Sequence, residues 1–262
     1  IGDGTTTINF SNMFNNANAF NQEIRSWNVS TNPNYSNRTN MFKDLAVFKS
    51  SYGNPADTPL VSFWDSIPIT QANLKTAVTN YIADETGMTR LYGAINSWIT
   101  VNVTDMSGLF QGHTFNSNPT IDVTGWTVTN VTDMSGMFHG TTNFNQDLGN
   151  WNVEKVKNMQ GMFQNSPDYT GTNIGNWVMS EVTNMSYMFS QSSGSGNFNA
   201  NLSGWGDQQD LKKVENMQGL FYNQTAYNQP MALWDDNVAE VTDMSGMFFG
   251  ATAFNQNITI WN

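Results

Sequence analysis

The amino-acid sequence predicts an α/β repeat solenoid, in which each coil of 25–29 residues contributes a short parallel strand and a short helical turn, and one helix caps the array. Three observations lead there. One phrase recurs: VTDMSGLF at 103–110, VTDMSGMF at 131–138, VKNMQGMF at 156–163, VTNMSYMF at 182–189, VENMQGLF at 214–221 and VTDMSGMF at 241–248, with degenerate copies closing at Met13-Phe14 and Met41-Phe42. Trp98, Trp126, Trp151, Trp177, Trp205, Trp234 and Trp261 follow at intervals of 28, 25, 26, 28, 29 and 27 residues. Aromatic residues make up 13 % of the chain and charged ones only 12 %, about half the usual charge of a soluble domain. A single coil of this size cannot bury its apolar face, so such repeats are stable only when stacked.

Taken in order, residues 1–48 read as the end of a repeat array, 49–67 as a linker or module boundary, 68–90 as a capping helix and 91–262 as the main array. The segment KSSYGNPADTPLVSFWDSI at 49–67 breaks the period with Gly, two Pro and the stray Trp64, and Pro68 follows it. From Thr70 to Glu85, Leu74, Ala77, Val78, Tyr81 and Ile82 fall on one stripe, with Thr70 as N-cap and Gly87 as the stop. Ile95 and Trp98 then open the first regular coil.

Within a coil, Leu148, Trp151 and Val153 keep the LxxLxL spacing of a leucine-rich repeat strand, with alternate side chains turned inward. Val156, Met159, Met162 and Phe163 follow at the spacing of one face of a short helical turn. The Thr or Asp before each Met is placed to satisfy the free amides at that turn's start. An aromatic-Asn pair follows, as in Phe20-Asn21, Phe144-Asn145, Tyr227-Asn228 and Phe254-Asn255, and its Asn reads as an internal amide ladder between coils. Tyr169 keeps the aromatic without the Asn.

These anchors resemble the BspA-like leucine-rich repeat surface proteins, including the mycoplasma lipoprotein-type repeat FNQxLxxWxVxxVTNMxxMF. The resemblance covers residues 1–48 and 91–262. It implies an extracellular or cell-surface setting and a binding or structural role in place of catalysis.

The array stops at Trp261-Asn262, inside the W-N-V motif seen at Trp27-Asn28-Val29 and Trp151-Asn152-Val153, and Ile1 would complete it. Joined that way, Trp261 stands 14 residues before Met13, the separation of Trp27 from Met41. The expectation is a head-to-tail join through Trp261, Asn262 and Ile1, either as a peptide bond in a longer polypeptide or as stacking of separate chains. A heterologous contact that does not close gives a filament. Eight coils at about 4.8 Å and a cap of roughly 10 Å set an axial repeat on the order of 45–55 Å.

The charge balance of 21 acidic against 10 basic residues opposes a grip on nucleic acid or anionic membrane. The chain has no Cys, and no apolar run approaches the length of a spanning helix. His113 and His139 read as solvated loop residues, not metal ligands or triad members. Asp105, Asp133 and Asp243 share a register with Asn158, Asn184 and Asn216, which fits turn capping and not a calcium ladder. No carboxylate pair is set apart for glycoside hydrolysis, and the Trp and Phe stripes read as core. Neither catalysis nor a cofactor is expected.

Candidate N-glycosylation sites are Asn9, Asn28, Asn34, Asn37, Asn102, Asn130, Asn184, Asn201, Asn223 and Asn257. With 38 Asn and 49 Ser plus Thr, about seven sequons arise by chance, so register is more informative than number. Asn34, Asn37, Asn201, Asn223 and Asn257 fall where exposure is expected, and covalent glycans would keep a chain so poor in charge soluble. The sequence thus predicts a structural extracellular module whose partners are copies of itself, assembled into a glycosylated fibre or stalk. The competing expectation is a cell-surface adhesin or receptor that binds a protein or glycan through its coil face.

Overall fold

The computed structural model describes residues 10–18, 20, 41, 43, 69–115, 121–193, 196–209, 211–259 and 261. The expected linker at 49–67 lies outside them. The chain divides into two compact units: residues 1–69 with 79–98, and residues 70–78 with 99–262.

The larger unit is a stack of coils, but the expected strand and helical turn per coil are absent, and the strand-plus-helix solenoid is overturned. Among the described residues no run of paired residues forms a sheet. Parallel pairing is confined to isolated bridges that follow one register up the stack, Asp105 to Asp133, Asn158, Asn184, Asn216 and Asp243, with one more between Thr114 and Thr142. The segment expected to be helical is a hydrogen-bonded turn, with Met162 N–H donating to Met159 O at 3.1 Å. It cannot continue as helix or strand, because two residues after each Met the backbone turns left-handed: φ is 59° at Gly108 and Gly136, 58° at Gly161 and Gly219, and 64° at Gly246. Glycine adopts that conformation without a Cβ clash. 3₁₀ segments lie elsewhere, just before or across Trp177, Trp205 and Trp234, at Ile174–Asn176, Ser203–Gln209 and Ala232–Val238.

Backbone amides nevertheless pair from coil to coil. In the first array coil Met106, Gly108, Phe110 and Gly112 donate to the carbonyls of Asp133, Ser135, Met137 and His139 at 2.9, 2.8, 2.8 and 2.7 Å. The next coil repeats the set from Met134, Gly136, Phe138 and Gly140 to Asn158, Gln160, Met162 and Gln164. Turns, not pleated strands, thus satisfy the peptide groups that the stack buries.

Side chains lock the register. Four Trp indoles reach back one coil to a buried carbonyl: Trp151 to Val123 at 3.2 Å, Trp177 to Leu148 at 2.9 Å, Trp205 to Ile174 at 2.8 Å and Trp234 to Leu202 at 3.0 Å. Phe110, Phe138, Phe163, Phe189, Phe221 and Phe248 form one ring column with centroids 5.5–5.9 Å apart. A second column runs through Phe144, Tyr169, Phe198, Tyr227 and Phe254. Within each coil the two columns touch, as at Phe163 and Tyr169, 3.9 Å apart. This is the expected Met, Phe and Trp core, and Val156, Met159, Met162 and Tyr169 are all buried.

In the smaller unit, a turn of the same kind spans residues 10–16, with Asn12 and Asn16 at φ 57° and 61°. Phe14 N–H donates to Met41 O at 3.3 Å, the pairing that Phe110 makes with Met137. Tyr81 packs edge-on against Trp98 at 5.6 Å. In place of one helix from Thr70 to a stop at Gly87, the segment forms two: Leu74–Ala83, which starts four residues after the expected cap Thr70, and Glu85–Tyr92, which contains Gly87. Leu74, Ala77, Val78 and Tyr81 of its stripe are buried. No helix among the described residues is long and apolar enough to cross a membrane.

Candidate functional site

The features with a capacity beyond folding lie at the two described edges of the larger unit's stack and along a partly exposed row of aromatic rings. All six turns of the array, from 105 to 243, start with a side-chain cap. The Asp105, Asp133 and Asp243 carboxylates each accept the N–H two residues on at 2.8 Å. Asn158, Asn184 and Asn216 do the same at 3.1, 3.0 and 2.9 Å. The bond needs an acceptor oxygen, not a charge, which is why Asp and Asn interchange. The Ser245 hydroxyl, and after it the Ser245 N–H, hold the Asp243 carboxyl below its usual value.

At the first edge Gln71 stands in for a missing coil. In the interior, two adjacent amides share one carbonyl of the preceding coil, Thr132 and Asp133 on Thr104 O at 2.8 and 3.4 Å. The first coil has no such carbonyl, and Gln71 Oε1 replaces it, accepting Thr104 and Asp105 N–H at 2.9 Å each. Gln71 Nε2 donates to Asp105 O at 2.9 Å, the role Met106 N–H plays toward Asp133 O. One primary amide thereby reproduces both halves of a peptide group.

At the opposite edge nothing plays that part. The amides of Met244, Gly246, Phe248 and Gly250 continue the donor row, and among the described residues none has an acceptor. Their coil is also less covered: Val241, Met244, Phe248, Phe254, Ile258 and Trp261 are half-buried, whereas Val214, Met217, Phe221, Tyr227, Met231 and Trp234 are buried. Phe249 is 60 % exposed, stacked at 4.7 Å on Tyr222. Tyr187, whose ring lies over Gly219, occupies the left-handed glycine slot at φ 57°, a conformation that is an outlier for a bulky residue. Tyr187, Tyr222 and Phe249 make an aromatic strip that a sequence reading centred on the core stripes misses. Its signal is Tyr where every other full copy of the phrase has Gly, and an aromatic one residue past the closing Phe.

Asn145 Oδ1 accepts Thr170 N–H, Asn199 Oδ1 that of Asn228, and Asn228 Oδ1 that of Asn255, each at 3.0 Å. The amide ladder expected as internal thus runs on the exposed surface. His139 is held between Gln111 at 3.1 Å and Asn165 at 3.4 Å. His113 lies edge-on to Phe115 at 5.0 Å, and burial lowers its pKa. The described residues include no cluster of metal-binding side chains.

Of the candidate glycosylation residues, Asn102, Asn201 and Asn257 are exposed and Asn130, Asn184 and Asn223 half-buried. The amide nitrogens of Asn130 and Asn223, where a glycan would attach, donate to Val101 O at 2.8 Å and Gln191 O at 3.0 Å. Asn9, Asn28, Asn34 and Asn37 lie outside the described residues, as do Ile1 and Asn262 of the expected join. Trp261 is described, its indole donating to Met231 O at 3.2 Å.

A family model described as "Mycoplasma protein of unknown function, DUF285" matches residues 3–66, 76–205 and 194–262. No curated protein and no solved structure matches the chain.

Proposed function

This chain belongs to the mycoplasma DUF285 family of unknown function, and we propose that it is a structural module of the cell surface that assembles with copies of itself into a fibre or stalk. Within the family we place it with the BspA-like surface repeat proteins, on the anchors FNQxLxxWxV and VTNMxxMF. The observation that carries the reading is the asymmetry of the coil stack. One edge of the described stack is closed by Gln71, while at the other the amides of Met244, Gly246, Phe248 and Gly250 have no acceptor among the described residues and the apolar coil is half-buried. Unpaired backbone edges of this kind template further pairing. An added coil of the same chemistry would satisfy both deficits.

Glycans on Asn102, Asn201 and Asn257, the exposed sequons, would mask the sides of such a fibre and leave its edges free. Sedimentation velocity across a concentration series, with negative-stain microscopy, tests assembly: growing species and filaments are expected, and a monomer at every concentration overturns the reading. The second reading, an adhesin binding protein or glycan through its coil face, is favoured by Phe249, 60 % exposed and stacked on Tyr222, since an exposed ring stacks on sugar faces and anchors interfaces. Loss of glycan-array binding in Phe249→Ala with assembly unaffected would support it.

A further inference from the structure

A coil with one extra residue opens a groove in the side of the stack. Four positions separate the inward aromatic from the next aliphatic anchor at Phe144 and Leu148 and at Phe198 and Leu202, but Tyr169 and Ile174 stand five apart. The added length is taken up around Gly171, where φ is 77° and a Cβ would run into the Phe198 ring. Beyond it Gly175 and Gly204 bring two backbones together: a Cβ on either would overlap a carbonyl oxygen of the neighbouring coil, Asn201 O or Gly175 O. The result is an open groove of about 480 Å³ between residues 170–176 and 200–204, within the range of about 300–1,000 Å³ typical of small-molecule sites. The functional groups along it are hydroxyls and carboxamides, from Thr170, Thr172, Asn173, Asn176, Asn201 and Ser203, with no charge among them. Such groups both donate and accept, which suits a neutral polyhydroxylated ligand and offers no counter-charge to an ion.

One of these groups is itself a modification acceptor. Asn201-Leu202-Ser203 is a sequon, and Asn201 is exposed. Its Oδ1 accepts Ser203 N–H at 2.9 Å, which holds the carboxamide in a local turn, and its Nδ2 has no acceptor among the described residues. The register explains the free nitrogen. One coil earlier, Asn173 Nδ2 donates back to Asp147 Oδ2 at 2.6 Å. Asn201 makes no such bond back across the groove, and the residue in its register one coil further on is Pro230, whose ring carries neither donor nor acceptor. The amide nitrogens of Asn130 and Asn223 are by contrast already held, by Val101 O and Gln191 O.

We propose that this groove is a saccharide seat and that its occupant is the first sugar of a glycan N-linked to Asn201. The bond forms between Asn201 Nδ2 and the anomeric carbon of a phosphate-activated sugar. The bond from that carbon to the phosphate oxygen breaks, the phosphate leaves with the electron pair, and the amide gives one proton to the base of the transferase. The sugar is a neutral hexose or N-acetylhexosamine. Its hydroxyls meet the Ser203 hydroxyl and the Asn176 carboxamide, which line the groove and have no side-chain partner among the described residues. The inference rests on the reading of this chain as a glycosylated surface module, and adds to it which residue is occupied and where the sugar lies.

The full chain is purified from its source organism, and the peptide holding Asn201 is weighed by mass spectrometry. An increment of at least one hexose or N-acetylhexosamine on Asn201 is expected. Ser203→Ala, made in the same organism, removes the sequon but keeps the Asn201 turn, which uses the Ser203 backbone N–H; Asn201→Gln replaces it as the sugar-free control should Ser203→Ala misfold. Amide exchange at Thr172, Gly175 and Asn176 is expected to be at least fivefold slower in the sugar-bearing chain than in the control. A sugar on Asn201 without that slowing overturns the seat. Sugars on Asn102 or Asn257 with none on Asn201 overturn the proposal and leave the glycosylated-module reading standing. A chain without sugar on any sequon overturns both.

Discussion

Substitution of Gly206 by Ala tests how closely the coils must approach. A Cβ on Gly206 would overlap the backbone O and C of Leu233 and come within 2.7 Å of Trp234 N, all in the next coil. The obstruction is backbone, so it yields only if the coils separate locally, on the order of 1 Å, to reach ordinary van der Waals contact. That opening pulls apart two buried bonds, Trp234 Nε1 to Leu202 O at 3.0 Å and Asn237 Nδ2 to Gly206 O at 2.9 Å, and loosens the Trp205–Trp234 stack at 6.2 Å. Each of the two buried groups left unpaired costs about 1–3 kcal/mol and the overpacking another 1–3 kcal/mol, for a loss of about 3–9 kcal/mol. Gly112→Ala is the control: a Cβ there meets no atom within 4 Å, and only its φ of +70° is strained, at about 1–2 kcal/mol. Urea unfolding of the two variants at equal m-value measures the difference. A Gly206→Ala loss no larger than that of Gly112→Ala would refute the close-packed account.

Trp205→Phe keeps a ring in the core but removes the indole donor to Ile174 O, which retains only the Trp177 N–H at 3.0 Å; a loss of about 1–3 kcal/mol is expected, combining one buried hydrogen bond with lost volume, and thermal unfolding reads it. Gln71→Ala removes the surrogate peptide from the first coil, with an expected cost of about 1 kcal/mol, as for a helix cap, and faster amide exchange at Thr104 and Asp105. Tyr169 and Tyr227 have buried hydroxyls without a partner, and burial raises both pKa values above 10.0. Their neutral forms are favoured in the fold, so the stability they contribute is fully present below the unfolded value near 10 and is lost as pH rises toward the folded values. In an alkaline titration followed at 295 nm these two phenols should ionise only with unfolding; ionisation alongside the exposed tyrosines would contradict their burial.

The sequence revealed which residues face inward better than how the backbone carries them. Spacing such as Leu148, Trp151, Val153 records which side chains share a face, and those residues are buried. The same spacing suits a strand or a series of turns, because periodicity carries no dihedral angle. The deciding residue was Gly161 and its equivalents, two positions after each Met: a glycine recurring inside a supposed helical face marks φ above zero. Asn165 and Asn223, at φ 56° and 57° in the second left-handed slot, carry the same message. The capping role of Asp105 and Asn158 was legible because it needs only local geometry. Gln71 was not, since its partners Thr104 and Asp105 lie 33 and 34 residues away and nothing near it in sequence distinguishes it from any polar residue at a helix start.

Residue-resolved hydrogen exchange of the edge amides tests the assembly account most directly. In dilute monomer, Met244, Gly246, Phe248 and Gly250 should exchange quickly, while Met217, Gly219, Phe221 and Asn223, bonded to Asp243, Ser245, Met247 and Phe249 at 2.7–2.9 Å, are protected. On assembly the four edge amides should slow to the rates of that interior row. Edge amides that stay fast in the assembled material would contradict coil-on-coil continuation between copies.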